Sequence, residues 1–292
     1  MSMTIGKRLT SYVQLTKPTI MLLVLFTGAT ALVVEGSLLR HPMQFALVLL
    51  GLYLTGGSAN AFNQYFERDI DARMSRTARR RPLPLHMVSA KEAFWFAVTI
   101  GAAGVALFAV AFNWLTALLS LATLLFYALF YTLWLKPHTW QNIVIGGAAG
   151  AMAPVGAWTA ASGSMAVAPW LMFALVFLWT PPHFWALAMI CKDDYVKAGL
   201  PMLPVVKGEG ETIRQILWYS GALIAVSLTL FFAGAHWLYF AAAVGLGIWL
   251  IKKALVAREV RTMTAYRSLF GYSIIYLFAL FAAIIVDNLL LA

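Results

Sequence analysis

Charge is scarce in this chain. Only 11% of its 292 residues are Asp, Glu, Lys or Arg, while 62% are hydrophobic and the mean hydropathy is +0.82. A soluble globular domain carries about 25% charged residues, so the shortage excludes that class and indicates an integral membrane protein. Cysteine is scarcer still. Cys191 stands alone, which rules out an internal disulfide and a cysteine-cluster metal centre; it is expected to pack near the end of the sixth helix. The opening MSMTIGKRLTSYVQLTKP has no apolar core like that of a signal peptide and is too short for an organellar transit peptide. The first hydrophobic helix is therefore expected to insert the chain.

What the chain does have is long apolar runs. Stretches of spanning length, roughly 17 to 25 residues each, fall at about 18–34, 44–60, 93–112, 114–135, 142–162, 169–190, 215–234, 236–256 and 269–290. The expected fold is all-α: one polytopic membrane domain over residues 1–292 with nine transmembrane helices. A faint doubling suggests two four-helix halves plus a ninth helix, because charged loops follow both the second and the sixth helix. Twenty of the 21 Lys and Arg residues fall on one side of this arrangement, with Arg40 alone on the other. By the positive-inside rule the N-terminus is expected in the cytoplasm and the C-terminus outside.

The densest charge lies in Ser58 to Pro84, SANAFNQYFERDIDARMSRTARRRPLP. If the acidic part is helical, Asn63, Glu67 and Asp71 recur every four residues and share a face. Arg73, Arg76, Arg79, Arg80 and Arg81 follow, and Pro82 and Pro84 stop any helix. Acids beside a basic cluster suit a polyanion bound through a divalent cation: carboxylates hold the metal and guanidiniums hold phosphate oxygens. A pyrophosphate is the simplest such ligand. The arginines alone would also serve as membrane anchors, but that reading leaves the acids unexplained.

A second polar loop, 191–214, faces the same side as the first, 61–92. Asp193 and Asp194 are adjacent there, so a helix would aim only one of them at a given metal, with Lys197 available to pair the other. Tyr195 could donate to phosphate. Lys17 and Lys136, with Asn142, stand at the same border, able to reach a phosphate or to snorkel. Pro181 and Pro182 are expected to kink the sixth helix. His183, beside them, faces the interior, either in a structural hydrogen bond or against a substrate or haem iron. Gly146 and Gly150 form a G-x-x-x-G pair that lets helices approach closely.

The run N-Q-Y-F-E-R-D-I-D from Asn63 to Asp71, with R-T-A-R-R-R-P-L-P after it, resembles the first aspartate-rich motif of the intramembrane (UbiA-type) prenyltransferases. P-H-F-W-A-L-A from Pro182, K-D-D-Y from Lys192, A-G-L-P-M-L-P-V-V from Ala198 and Q-N-I-V-I-G-G from Gln141 resemble its haem O synthase (protohaem IX farnesyltransferase) branch. The resemblance implies nine spans, transfer of farnesyl from farnesyl diphosphate to a vinyl group of haem B with addition of water, and Mg²⁺ as cofactor. It implies Asn63, Glu67, Asp71, Asp193 and Asp194 as metal-binding and catalytic residues. Lys17, Arg76, Arg79, Arg80, Arg81, Lys136, Asn142, His183, Lys192, Tyr195 and Lys197 are the implied substrate contacts. It also implies a bacterial inner-membrane setting in the lipid bilayer, no nucleic acid, and a haem A synthase or terminal oxidase as a receiver of product. One departure stands out: Cys191 and Tyr195 occupy the places of the superfamily's second D-x-x-x-D motif. Two other readings stay open: prenylation of an aromatic quinone precursor or chlorin, and a non-enzymatic membrane transporter.

Overall fold

The computed structural model describes residues 5–291. Among the described residues nine helices are long and apolar enough to cross a membrane: Pro18–Glu35, Pro42–Phe66, Ala90–Ala111, Trp114–His138, Asn142–Ser162, Val167–Ile190, Gly208–Phe232, Trp237–Val260 and Met263–Leu290. They are spans one to nine below. Each coincides with an apolar run read from the sequence, so the multi-pass, all-helical expectation holds.

Local chemistry sets the helix ends. Spans one and two begin with Pro18 and Pro42, whose missing N–H costs nothing in a first turn. Span three opens on a capping box: the Ser89 hydroxyl accepts from the Glu92 N–H while Glu92 returns a bond to Ser89. Gly36 closes span one with φ of 85°, a backbone conformation that favours glycine.

Apolar side chains gain little by leaving lipid for one another, so close packing and hydrogen bonds hold the spans together. Spans two and three illustrate both. A Cβ at Gly104 would sit 2.7 Å from the Thr55 methyl, and Ser58 Oγ donates across to the Ala97 carbonyl at 2.7 Å. Consecutive spans pack side by side, and span nine returns against spans one and six. At the end of the bundle where span eight begins, the buried Asp287 of span nine accepts from the His236 and Tyr239 N–H groups at 2.7 and 2.9 Å, capping that helix.

Two spans depart from a regular helix. The middle of span four, Phe126–Leu135, widens into a π-helix. Span five breaks at Met152, with Pro154 in the first turn of its second half. Span six stays helical through Pro181 and Pro182.

Candidate functional site

Span two ends at Phe66 and a short helix restarts at Arg68, yet the ladder between them is unbroken. Glu67 N–H donates to the Asn63 carbonyl at 3.0 Å and Asp71 N–H to the Glu67 carbonyl at 2.8 Å. Asn63, Glu67 and Asp71 therefore keep one face, and each is only 2% exposed. Their spacing survives the change of helix because four-residue periodicity is preserved across it.

Three cations from separate parts of the chain converge on that face. Lys17 Nζ donates to Asn63 Oδ1 at 2.7 Å, and Lys136 Nζ to Glu67 Oε1 at 2.5 Å. Arg81 pairs with Asp71 and lies 3.8 Å from Glu67 Oε2. Burial alone would raise the Glu67 carboxyl, but Lys136, Lys17 and Arg81 together hold it below its ordinary value. Burial raises Asp71 in spite of Arg81. Burial, with Arg81 close by, presses the Lys17 ammonium well below its usual value. Lys17 hydrogen-bonds an amide rather than a carboxylate, and with it three cations meet two carboxylates, which leaves one positive charge of the cluster without full compensation. An anion arriving here would supply that compensation.

Lys17 reaches the site through an uncommon backbone. Its φ of 54° and ψ of 65° are left-handed, a conformation that costs a non-glycine residue about 1–2 kcal/mol. Two amides of span two hold the turn before it. Asn60 Nδ2 donates to the Thr16 carbonyl at 3.1 Å, and Gln64 Nε2 to the Gln14 and Leu15 carbonyls at 3.0 Å each. The Thr16 hydroxyl adds a 2.8 Å bond to Tyr53. On the other side, the π-helix of span four presents Thr132, whose hydroxyl donates to the Tyr127 carbonyl at 2.7 Å and accepts from Asn63 Nδ2 at 3.2 Å. Tyr127 stacks on Tyr131 at 5.0 Å. A Cβ at Gly146 would land on the Tyr131 ring, so glycine is required there.

Beside the cluster, between spans one to five, opens an apolar cavity. Asn60 and Tyr127 line it, as do Met21, Leu52, Phe108 and Leu124. Asn60 is one helical turn before Asn63, so the charged face and the apolar space adjoin. Gly150 also lines it, and a Cβ there would meet nothing within 4 Å. The two glycines of the G-x-x-x-G pair thus do different work.

The second loop is arranged otherwise. The Asp194 carboxylate accepts from Ser75 Oγ at 2.7 Å, from Ser75 N–H at 3.3 Å and from Arg76 N–H at 3.2 Å. Those bonds hold its pKa below the usual carboxylate range, the Ser75 hydroxyl contributing most. Asp193 is exposed. Neither joins Asn63, Glu67 and Asp71, and among the described residues no three His, Cys, Asp or Glu side chains are grouped to hold a metal. Of the arginine run Arg81 alone turns inward, while Arg76, Arg79 and Arg80 are exposed, as is Lys197. Lys192 lies 3.6 Å from Glu209. Tyr195 is buried in the apolar core. Asn142 is fully buried and donates to the Thr139 carbonyl at 2.5 Å. His183 stacks between Trp179 and Phe270, at 4.3 and 4.7 Å. Its Nδ1 lies 2.8 Å from Ser273 Oγ, which joins span six to span nine.

Asn60, Gln64, Thr132 and Tyr127 were not read from the sequence. Asn60 and Gln64 carried a signal: two amides four residues apart in an apolar helix need buried partners. Thr132 and Tyr127 carried none, because a π-turn has no mark in the residue pattern.

Residues 23–285 match the model of the UbiA prenyltransferase family. The chain is 46% identical to the protoheme IX farnesyltransferase of Gloeobacter violaceus, covering 97% of this chain and 93% of that protein. It is also 46% identical to the enzyme of the same name from Erythrobacter litoralis, covering 94% and 91%. In fold it is similar to a solved digeranylgeranylglyceryl phosphate synthase, with a TM-score of 0.79 at 16% identity over 96% of this chain and 98% of that one. A UbiA homologue from Archaeoglobus fulgidus bound to GPP and Mg²⁺ superposes with a TM-score of 0.63 at 17% identity, over 94% and 99%.

Proposed function

The chain belongs to the UbiA prenyltransferase family, and from that premise we propose that it transfers a farnesyl group from farnesyl diphosphate to a vinyl group of haem B, with addition of water. The observation that carries this reading is the junction of a cationic, carboxylate-bearing face with an apolar cavity. A prenyl diphosphate has the same two halves. The relatives at 46% identity, named protoheme IX farnesyltransferases, support haem as the acceptor.

The residues fit a magnesium ion. Glu67 Oε2 is buried without a hydrogen-bond donor, an arrangement that leaves a carboxylate oxygen free for a hard cation. Glu67 and Asp71 would hold the metal, with the Asn63 amide oxygen as a third donor. The Archaeoglobus homologue bound to GPP and Mg²⁺ supports Mg²⁺ as the metal. When bound, the ion neutralises charge on the leaving diphosphate and so favours its departure.

The chain's own residues do the rest. Lys17, Lys136 and Arg81 bind diphosphate oxygens by exchanging their present partners for phosphate, so that charge developing on the leaving group meets fixed cations in a partly water-excluded site. The apolar cavity takes the farnesyl tail and keeps water from the allylic carbon. The Tyr127 ring, at the cavity wall, offers a π system that stabilises the allylic cation. The haem vinyl group then attacks that carbon and water captures the new cation. Loss of a proton from this water completes the hydroxyethylfarnesyl chain. The protein is proposed to lie in the bacterial inner membrane with its N-terminus and this site cytoplasmic, because 20 of 21 Lys and Arg residues belong to that side.

The test is to incubate membranes containing the protein with haem B, farnesyl diphosphate and Mg²⁺ and to chromatograph the pigments. A more hydrophobic haem is expected, and none after chelation of divalent ions. Farnesylation of a quinone precursor with haem left unchanged would overturn the acceptor, and undiminished product after chelation would overturn the metal.

A further inference from the structure

A second groove lies between span seven and the end of span eight. The apolar cavity is lined from spans one to five, so the two are separate. Gly210, Gly221, Ala222 and Ala225 line the groove with little or no side chain. A Cβ at Gly210 or Gly221 would meet nothing within 4 Å. Gly104 and Gly146 have close neighbours that require them, whereas Gly210 and Gly221, like Gly150 and Gly245, have open space beside them.

At one end the groove carries Arg214, Arg258 and Arg261, and beside Arg214 stands Trp218, 73% exposed. Arg214 shares its charge with Glu211 at 2.7 Å. Among the described residues neither Arg258 nor Arg261 has a carboxylate partner within ion-pair distance. Arg261 Nε is anchored on the Arg258 carbonyl at 3.3 Å, which keeps the two residues together. Span seven begins and span eight ends here, so the three guanidiniums lie at the bundle end that carries the Glu67 site. A trough lined by small residues together with Ile213 and Leu217, below a cluster of guanidiniums and with a tryptophan at the border, complements an acyl chain below an anionic headgroup.

We propose that this groove is a binding site for an anionic phospholipid of the adjacent leaflet, its phosphate on Arg258, Arg261 and Arg214 and an acyl chain along Gly221, Ala222 and Ala225. Phosphate accepts several guanidinium N–H bonds at once, whereas a zwitterionic headgroup brings its own cation to the same place. The site is independent of the prenyl-transfer reading.

The full-length protein in detergent is titrated with dioleoyl phosphatidylglycerol or dioleoyl phosphatidylcholine, and retained lipid is counted by native mass spectrometry. The expected result is at least ten-fold tighter retention of phosphatidylglycerol. That preference should be lost in R214Q/R258Q/R261Q, while Gly221→Leu, which fills the trough and leaves the arginines, should weaken both lipids. Should the triple variant not fold, R258Q and R261Q singly, both at exposed and unpaired positions, are each expected to weaken phosphatidylglycerol alone. Equal retention of the two lipids overturns the proposal, as does unchanged selectivity in the arginine variants. Displacement of phosphatidylglycerol by millimolar inorganic phosphate without the chain also overturns it, because the groove would then be an anion site and no more.

Discussion

Asp194 holds Ser75. The bond from the Ser75 hydroxyl is 2.7 Å long and joins residues 119 positions apart, and with the Ser75 and Arg76 N–H groups it ties the loop after span six to the arginine-bearing loop after span two. If Arg81 binds the diphosphate as proposed, the acid positions it from a distance, because the same loop carries Arg81 five residues beyond Arg76. Asp194→Asn is expected to raise the KM for farnesyl diphosphate by roughly ten- to a hundred-fold, the range that the loss of charge-assisted bonds worth about 1.5–3 kcal/mol would reach if it fell wholly on binding, and to leave the Mg²⁺ concentration for half-activity unchanged. Asp71→Asn should move both. A Mg²⁺ requirement shifted by Asp194→Asn would show that residue to be a ligand instead.

The left-handed turn at Lys17 depends on the Gln64 amide, which serves two carbonyls at 3.0 Å. Gln64→Leu leaves the buried Leu15 carbonyl without a donor, at about 1–3 kcal/mol for an unsatisfied group, while the Gln14 carbonyl keeps the Lys17 N–H at 3.2 Å. Lower thermal stability is expected, together with a rise in KM for the diphosphate approaching that of Lys17→Met. Should Gln64→Leu lose stability and keep its KM, the amide braces the fold without aiming the lysine.

Lys136 and Glu67 form a buried pair. Removing one member of such a pair typically costs about 3–5 kcal/mol, because the other stays charged and out of water. Lys136→Met should be destabilised by an amount of that order, and the double variant K136M/E67Q should regain most of it. The sign of the pH dependence follows from the lowered Glu67 pKa. A depressed carboxyl contributes stability above its unfolded pKa, near 4.3, and that contribution is lost as pH falls through the lower folded value. Melting at pH values below about 4.3 should therefore weaken the wild type and spare K136M/E67Q.

Gly150 opens onto the apolar cavity. Gly150→Leu should shorten the space for the tail and lower kcat/KM for farnesyl diphosphate at least ten-fold against that for geranyl diphosphate, measured by competition. Gly146→Ala is the contrast: its Cβ strikes Tyr131, so both substrates should suffer alike.

Much of this was legible before any coordinates. A run of apolar residues long enough to span a bilayer must be helical there, since each backbone N–H and C=O has to be satisfied within its own segment, and nine runs became nine helices among the described residues. Asn63, Glu67 and Asp71 share a face because helical periodicity is a local property. The sequence also marked Lys17 and Lys136 as border cations, although snorkelling and ligand binding look identical until the partners are known.

Partners were decided by the tertiary structure. Which arginine of a run turns inward depends on where the loop after span two is pinned, and the pin is Asp194, more than a hundred residues away. Whether His183 meets a ligand or a neighbouring helix depends on span nine, which brings Phe270 and Ser273 to it. The cavity needs spans one to five at once. Periodicity along one helix follows from bond geometry and can be read residue by residue, whereas charge pairing and empty volume are relations between distant segments that exist only after the spans have packed.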